Sequence, residues 1–195
     1  MIKLHGYKII LASSSPRRKI FFDQLGIPFD VKSLPVDESF PVKLRESKIS
    51  EFIVGKKNLP FRDIIEPKQI IITADTIVWC RNKYFGKPDN LYQARNMLNY
   101  LSGKTHEVIT SVGFLTYETF EIITEKTYVH FKNLTGDEIS HYLDLNSPLD
   151  KAGGYGIQDW IGEIGITKIE GSYTNVVGLP LAQVLERIKF LTKNK

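Results

Sequence analysis

The sequence predicts an α/β protein built on a mixed β-sheet. Short apolar runs typical of strands alternate with stretches whose apolar residues recur at helical spacing. A strand and a helix begin the chain, adjacent strands lie in the middle and a helix ends it, which favours a mixed sheet over a regular doubly wound one. The 195 residues, 42% apolar and 25% charged, are enough to bury a core and are not typical of a disordered or fibrous protein.

The first strand and helix are predicted from the start of the chain. Residues 8–12 predict a buried strand, since Ile9 to Ala12 are apolar, and three serines separate it from Pro16. Ser15 suits a helix N-cap, and proline suits the next position because its missing N–H would have no partner there. The helix is expected to end at Leu25, with Ile20, Phe21 and Leu25 on its apolar face.

The other elements follow from the same kinds of signal. A β-branched run at 69–74 is typical of a strand buried on both faces, and Thr135 to Glu138 is a capping-box sequence. Further strands are predicted at residues 29–36, 77–79, 84–85, 108–117 and 120–131. Further helices are predicted at residues 49–58 and 91–101, from Thr135 onward and from Pro180 onward, with a loop at 153–156.

Composition excludes several classes of protein. The only cysteine, Cys80, can form neither an intramolecular disulfide nor a zinc site with two thiolates, which fits a reducing compartment. No apolar run is long enough for a signal peptide or a membrane span. The net charge of +4 permits an anionic partner, although taken alone it is better explained by a solvated surface with a few extra lysines. We therefore expect a cytoplasmic protein without a membrane partner.

The first candidate site is the turn between the first strand and helix. Ser13 and Ser15 supply hydroxyl groups, Arg17 and Arg18 supply forked donors, and the N-terminus of a helix favours an anion. These residues predict a phosphate site. The alternative is a capped helix with two solvent-facing arginines.

Carboxylates supply the second candidate site. Asp75 follows a run of isoleucines and is predicted at a strand end, where it can act as a general base or a metal ligand. The alternative is a structural aspartate that bonds to a neighbouring loop. The adjacent Asp37 and Glu38 can add an acidic ligand, although acidic residues in loops are commonly only solvated, and two separated carboxylates facing phosphates suit magnesium. Lys57, or its neighbour Lys56, and Lys87 can neutralise phosphate charge, although each taken alone is more typical of a surface lysine.

A glycine-rich stretch supplies the third candidate. Residues 151–158 contain three glycines that permit close approach to a ligand, and Gln158 offers the donor and acceptor that recognition of a nucleobase needs. An ordinary glycine loop is the alternative. His106 is expected to be structural, because no neighbouring serine or cysteine is placed as a nucleophile.

Together these stretches resemble the Maf family of nucleoside triphosphate pyrophosphatases. The matching motifs are collinear and span nearly the whole chain, at residues 11–18, 36–38, 73–78, 86–88, 101–108, 150–158 and 171–181. The segment 153–158 resembles the branch that acts on dTTP and UTP more than the branch that acts on 7-methyl-GTP.

The resemblance implies a single domain over residues 1–195, with two lobes around a central cleft in a Maf/ITPase-like fold, and commonly a homodimer. It implies that Asp75 accepts a proton and that Arg17, Thr76 and Gln158 determine which base is accepted. The expected substrate is a nucleoside triphosphate and the expected cofactor is Mg²⁺ or Mn²⁺, held by Glu38 and Asp75. The expected phosphate ligands are Ser13, Ser15, Arg17, Arg18, Lys57 and Lys87.

Two departures from the family pattern stand out. Asp159 follows Gln158 where the family usually has glycine, and its carboxylate is expected either to alter base preference or to point outward. The helix lysine of the family is usually followed by alanine, whereas Lys56 and Lys57 are followed here by Asn58. We favour Lys57 as the phosphate ligand.

The expected reaction is hydrolysis at the α–β phosphoanhydride. A nucleotide-binding regulator of cell division without turnover, and a phosphatase that removes the terminal phosphate, are the competing hypotheses. No nucleic-acid partner is expected, because the sequence has no helix-turn-helix, no RNA-binding aromatic motif and no long basic block.

Overall fold

The computed structural model describes residues 3–193. Its strands are β1 (Lys8–Leu11), β2 (Phe29–Val31), β3 (Gln69–Cys80), β4 (Lys83–Phe85), β5 (Thr105–Leu115), β6 (Phe120–Phe131) and β7 (Ile166–Glu170). Its helices are α1 (Pro16–Leu25), α2 (Ser47–Asn58), α3 (Leu91–Leu101), α4 (Gly136–Leu145), α5 (Trp160–Gly165), α6 (Tyr173–Val177) and α7 (Leu181–Lys193). Short 3₁₀ turns lie at Leu59–Phe61, Pro148–Asp150 and Ala152–Gly154.

The described strands form one mixed sheet. Their order is β2-β1-β3-β5-β6-β7, and β4 pairs with β3. β1 runs parallel to β2 and β3, whereas β3–β4 and β6–β7 are antiparallel pairs. The predicted mixed α/β class is confirmed.

The described chain divides into two compact units. The first unit contains residues 3–75, 110–125 and 178–193, and the second contains residues 76–109 and 126–177. Three strands, β3, β5 and β6, pass from one unit to the other within their length.

In the first unit, apolar residues of β1 and β3 pack with the segment that follows α2. Ile10, Ile71, Phe61 and Leu115 belong to one buried cluster. Helix α1 begins and ends where the sequence predicts, but Ile20 is 53% exposed, so its predicted inward position is wrong. The predicted inward position of Phe21 is confirmed, and Phe22 is buried beside it, while Leu25 is half-buried.

The second unit has its own core. Side chains of α3, β5, β6 and α4 pack together there, and Thr135 and Glu138 form the predicted capping box at the start of α4. The loop predicted at 153–156 contains part of a 3₁₀ turn, while α5, β7 and α6 were not predicted. Within residues 3–193, no helix has the length and apolar character needed to cross a membrane.

One correction concerns the position of Asp75. The sequence predicts a strand end at this residue, but β3 continues without a break from Gln69 to Cys80. Residues 77–80 are buried and apolar, so the strand remains favourable beyond the carboxylate. Asp75 therefore lies inside a long strand, where its neighbours must compensate its charge.

Candidate active site

β1 leads directly into the turn that begins α1. The amide of Ala12 donates to the carbonyl of Ile72 over 2.8 Å, which extends the β1–β3 ladder one residue beyond β1. Ser15 occupies the predicted N-cap position, yet its side chain makes no cap bond, and its amide donates to Ser13 Oγ over 3.3 Å. The turn thus carries three serines beside the N-terminus of a ten-residue helix, an arrangement that favours an anion.

Lys57 joins two carboxylates beside this turn. Its Nζ lies 2.8 Å from Asp75 Oδ1 and 3.0 Å from Glu38 Oε1. The Asp75 and Lys57 side chains are 10% and 17% exposed, whereas that of Glu38 is 45% exposed. The structure therefore brings together three of the predicted site residues, from β3, α2 and the segment after β2.

Asp75 is a buried carboxyl group with two positively charged side chains nearby. Burial raises its pKa above the ordinary value, while the charge and hydrogen bond of Lys57 and the charge of Arg18 oppose that shift. A raised pKa makes a carboxylate a stronger base, and the two cations keep its ionised form accessible. These are the properties that a general base needs.

Arg18 is directed toward the protein. Its Nε donates to the Gly178 carbonyl over 2.9 Å, and its Nη1 donates to Ser13 Oγ over 3.2 Å and to the Ala74 carbonyl over 2.9 Å. Burial lowers the pKa of Arg18 to about 10, so the guanidinium remains charged at neutral pH. These contacts do not test its predicted role as a phosphate ligand, but they show that several of its donors already have partners.

The two adjacent lysines of α2 have different partners. Lys56 Nζ lies 2.9 Å from Asp37 Oδ2 and 3.0 Å from the Ser39 carbonyl, so it holds the loop that carries Glu38. Bonds from Ser39 and from Lys56 hold the pKa of Asp37 below its ordinary value. Lys57, the lysine favoured from the sequence, is the one that reaches Asp75.

Sequence reasoning missed Asn58. This residue is fully buried, and its Nδ2 donates to the Val54 carbonyl over 2.9 Å and to Thr73 Oγ1. It ties the end of α2 to β3 next to Lys57 and two residues before Asp75. A Cβ added at Gly113 of β5 would lie 2.7 Å from Asn58 Nδ2, so only glycine leaves room for this joint. An asparagine in place of the family's usual alanine was the one available signal.

Glu38 and Asp75 fit a divalent cation. The Lys57 ammonium lies between an oxygen of Glu38 and an oxygen of Asp75, so the two carboxylates already face one positive charge. Residues 3–193 contain no group of three or more histidine, cysteine, aspartate or glutamate side chains that could hold a metal. A metal here would have two protein ligands and would take its other oxygens from water and phosphate, as magnesium commonly does.

Arg17 is partly buried in the first turn of α1, and the remaining predicted site residues belong to the second unit. Thr76 follows Asp75 in β3 and is partly buried. Lys87 is exposed after β4, and Gln158 is exposed in the turn before α5. Their proposed contacts with phosphate or base stay predictions.

Comparison with known proteins decides the family. A sequence profile described as Maf-like protein matches residues 8–191 of this chain. The chain belongs to the Maf family.

Two curated relatives of this Maf protein are called dTTP/UTP pyrophosphatase. The one from Flavobacterium johnsoniae is 46% identical over 97% of this chain and 97% of its own length. The one from Bacteroides fragilis is also 46% identical, over 98% of this chain and 100% of its own length. A solved structure, that of the Staphylococcus aureus Ham1 protein, covers 64% of this chain and 71% of its own with a TM-score of 0.44 and 11% identity.

Asp159, the departure from the usual Maf pattern, does not point outward. Its Oδ2 accepts a hydrogen bond of 2.7 Å from the Tyr142 hydroxyl, whose oxygen also accepts the Gly156 amide over 3.2 Å. Lys151 Nζ lies 3.6 Å from the same carboxylate oxygen. Burial and the bond to Asp159 raise the pKa of Tyr142 above its ordinary value. Asp159 thus fixes the backbone on both sides of Gln158 within the second unit.

Replacing Tyr142 with phenylalanine should destabilise this Maf protein. The ring still fills its buried site, but Asp159 and the Gly156 amide lose their shared partner, which should cost about 1–3 kcal/mol of unfolding free energy. Urea unfolding followed by circular dichroism measures the difference. Tyr92→Phe is the matched control, because Tyr92 is 73% exposed and should tolerate the change. Equal stability of the two variants would contradict the prediction.

Proposed function

We propose that this Maf protein hydrolyses nucleoside triphosphates to monophosphate and pyrophosphate, with dTTP and UTP as its preferred substrates. The observation that carries the proposal is the buried Asp75, held by Lys57 beside Glu38, next to the serine-rich turn that begins α1. The names of the curated relatives support the choice of reaction and of substrate.

In the proposed mechanism, phosphate oxygens bind at the N-terminus of α1. Backbone amides of the first helical turn, the hydroxyls of Ser13 and Ser15, and Arg17 provide the donors. The Lys57 ammonium turns from the carboxylates toward phosphate and offsets the charge that develops on the leaving pyrophosphate. Lys87 is proposed to add a second ammonium.

Asp75 takes the proton from the attacking water. Its raised pKa suits that task, and the charge of Arg18 keeps the ionised form of Asp75 accessible when Lys57 turns to phosphate. A divalent metal held by Glu38 and Asp75 would lower the pKa of the attacking water and neutralise phosphate charge. Thr76 and Gln158 are proposed to select the pyrimidine.

The test is a panel of nucleoside triphosphates with product identification. UTP, dTTP, CTP, GTP and 7-methyl-GTP are each incubated with the protein and Mg²⁺ or Mn²⁺, and mono- and diphosphates are separated by chromatography. We expect pyrophosphate and monophosphate, fastest from UTP and dTTP. Orthophosphate with a diphosphate would indicate a terminal phosphatase, and stoichiometric binding without product would indicate a regulator. Fastest turnover of 7-methyl-GTP would overturn the substrate assignment.

Metal removal should abolish this activity. Chelation with EDTA is expected to stop pyrophosphate release, and added Mg²⁺ or Mn²⁺ should restore it. Glu38→Gln removes one proposed ligand and should raise the metal concentration for half-maximal activity about tenfold or more, since even residues behind metal ligands alter affinity by 10- to 100-fold. Asp63→Asn is the control, because Asp63 is exposed in the turn after Phe61 and has no part in the proposed metal site. An unchanged metal dependence in Glu38→Gln would remove Glu38 from the site.

Assembly and location are separate proposals. The single-domain chain is proposed to act as a homodimer in the cytoplasm. Equilibrium sedimentation tests the first statement, with a mass twice that of the chain as the expected result.

A further inference from the structure

Two adjacent arginines follow the serine-rich turn, and the contacts of Arg18 give it a distinct task. Its guanidinium bonds to three groups from different parts of the first unit: the Ser13 hydroxyl, the Ala74 carbonyl and the Gly178 carbonyl. Gly178 is 160 positions away in the sequence. Arg18 therefore connects α1, β3 and the segment that leads into α7.

The bond to Ala74 acts on Asp75 through the peptide group they share. The Ala74 carbonyl and the Asp75 amide lie in one rigid plane, so fixing the carbonyl also fixes the point from which the Asp75 side chain departs. Lys57 Nζ lies 3.3 Å from the same carbonyl and 2.8 Å from Asp75 Oδ1. Two cations thus hold the backbone next to the proposed base, and one of them also holds its carboxylate.

We propose that Arg18 is a positioning residue that sets the orientation of Asp75, while phosphate binding falls to Arg17. The inference rests on the proposed function, because it assigns Arg18 a task in that reaction. It differs from the sequence prediction, in which both arginines bind phosphate.

The geometry requires a guanidinium at this position. Nε and Nη1 donate in two directions, to Gly178 and to Ala74, and a planar fork can hold both carbonyls at once. A lysine has a single nitrogen on a flexible stem and cannot reproduce both bonds in fixed geometry. Arg18→Lys therefore keeps the charge and removes the alignment.

The experiment compares matched substitutions at the two arginines. Arg18→Lys, Arg18→Gln, Arg17→Lys and Arg17→Gln are purified as full chains, and their folding is checked by thermal unfolding. Steady-state kinetics with UTP gives kcat and KM. Calorimetric titration with α,β-methylene-UTP, which cannot be cleaved at the scissile position, gives Kd without turnover.

We expect substitutions of Arg18 to affect kcat and substitutions of Arg17 to affect binding. Arg18→Lys should lower kcat about 10- to 100-fold, the range in which small misplacements of a reacting group fall, with little change in the Kd of the analogue. Arg17→Gln should raise that Kd roughly tenfold or more, because a charge-assisted hydrogen bond to phosphate is lost.

Several results would overturn the inference. A rise in Kd for Arg18→Lys as large as that for Arg17→Lys, with kcat unchanged, would make Arg18 a phosphate ligand. Wild-type constants in both folded Arg18 variants would remove any role in the reaction. Loss of folding in both would show that Arg18 supports the whole unit and not Asp75 in particular. Failure of the proposed function is distinct, because the wild-type protein would then release no pyrophosphate.

Discussion

Asp75→Asn should lower kcat for pyrophosphate release by a factor on the order of 10² or more. Asparagine has nearly the same shape and can still accept a hydrogen bond from Lys57, but it cannot take a proton from water. The loss of a positioned general base commonly costs this much. Coupled detection of pyrophosphate from UTP measures the rate, and Kd for α,β-methylene-UTP shows whether binding survives.

Asp63→Asn is the matched control for this substitution. It makes the same aspartate-to-asparagine change at an exposed position in the turn after Phe61. The control should retain a rate close to that of the wild type. If a folded Asp75→Asn protein kept the wild-type rate, Asp75 would not be the general base.

The second large effect concerns stability in acid. His106 is buried in the second unit, with its Nε2 2.7 Å from the Tyr155 hydroxyl and its ring edge-on to Phe131. Burial lowers its pKa to about 3. The folded protein therefore holds His106 neutral at pH values where the unfolded chain binds a proton.

Because the unfolded state binds the extra proton, acid favours unfolding. Above the ordinary histidine pKa of about 6.5, His106 is neutral in both states and the free energy of unfolding does not depend on its protonation. Below that pH, the protonation of His106 in the unfolded chain lowers the free energy of unfolding by about 1.4 kcal/mol for each pH unit, down to about pH 3. Urea unfolding at several pH values between 7 and 4 measures how steeply the free energy of unfolding changes with pH, for the wild type and for His106→Asn.

The variant should be less stable than the wild type at pH 7, and the difference should narrow as the pH falls. His141→Asn is the control, because His141 is exposed and its replacement should leave the wild-type slope unchanged. If the difference in unfolding free energy between the wild type and His106→Asn stays constant with pH, the fold does not hold His106 neutral.

Local signals in the sequence predicted much of the fold. Pro16 and Gly26 set the limits of α1, and the Thr135 capping box marks the start of α4, because each acts on neighbouring backbone groups. The predicted ends of elements were wrong where local signals compete with packing. An aspartate within an apolar run looks like a strand end, but Lys57 and Arg18 compensate its charge and β3 continues past it.

The candidate site could be predicted as a set of residue types but not as contacts. Lys56 and Lys57 are adjacent in the sequence, and neighbouring positions on a helix point about 100° apart. Only the packing of α2 on the first unit decides that Lys57 meets Asp75 while Lys56 meets Asp37. The orientation of Arg18 depends on a carbonyl 160 positions away, which no local pattern reports.

By itself, the sequence determined the family, the mixed α/β class and the chemical groups available for binding a triphosphate. These follow from short motifs, whose spacing and backbone preferences act over a few residues. The tertiary structure decided which groups meet: the Lys57 bridge, the inward position of Asp159 and the anchoring of Arg18. Those contacts join segments far apart in the chain, and their energies depend on burial and distance, which exist only once the chain has folded.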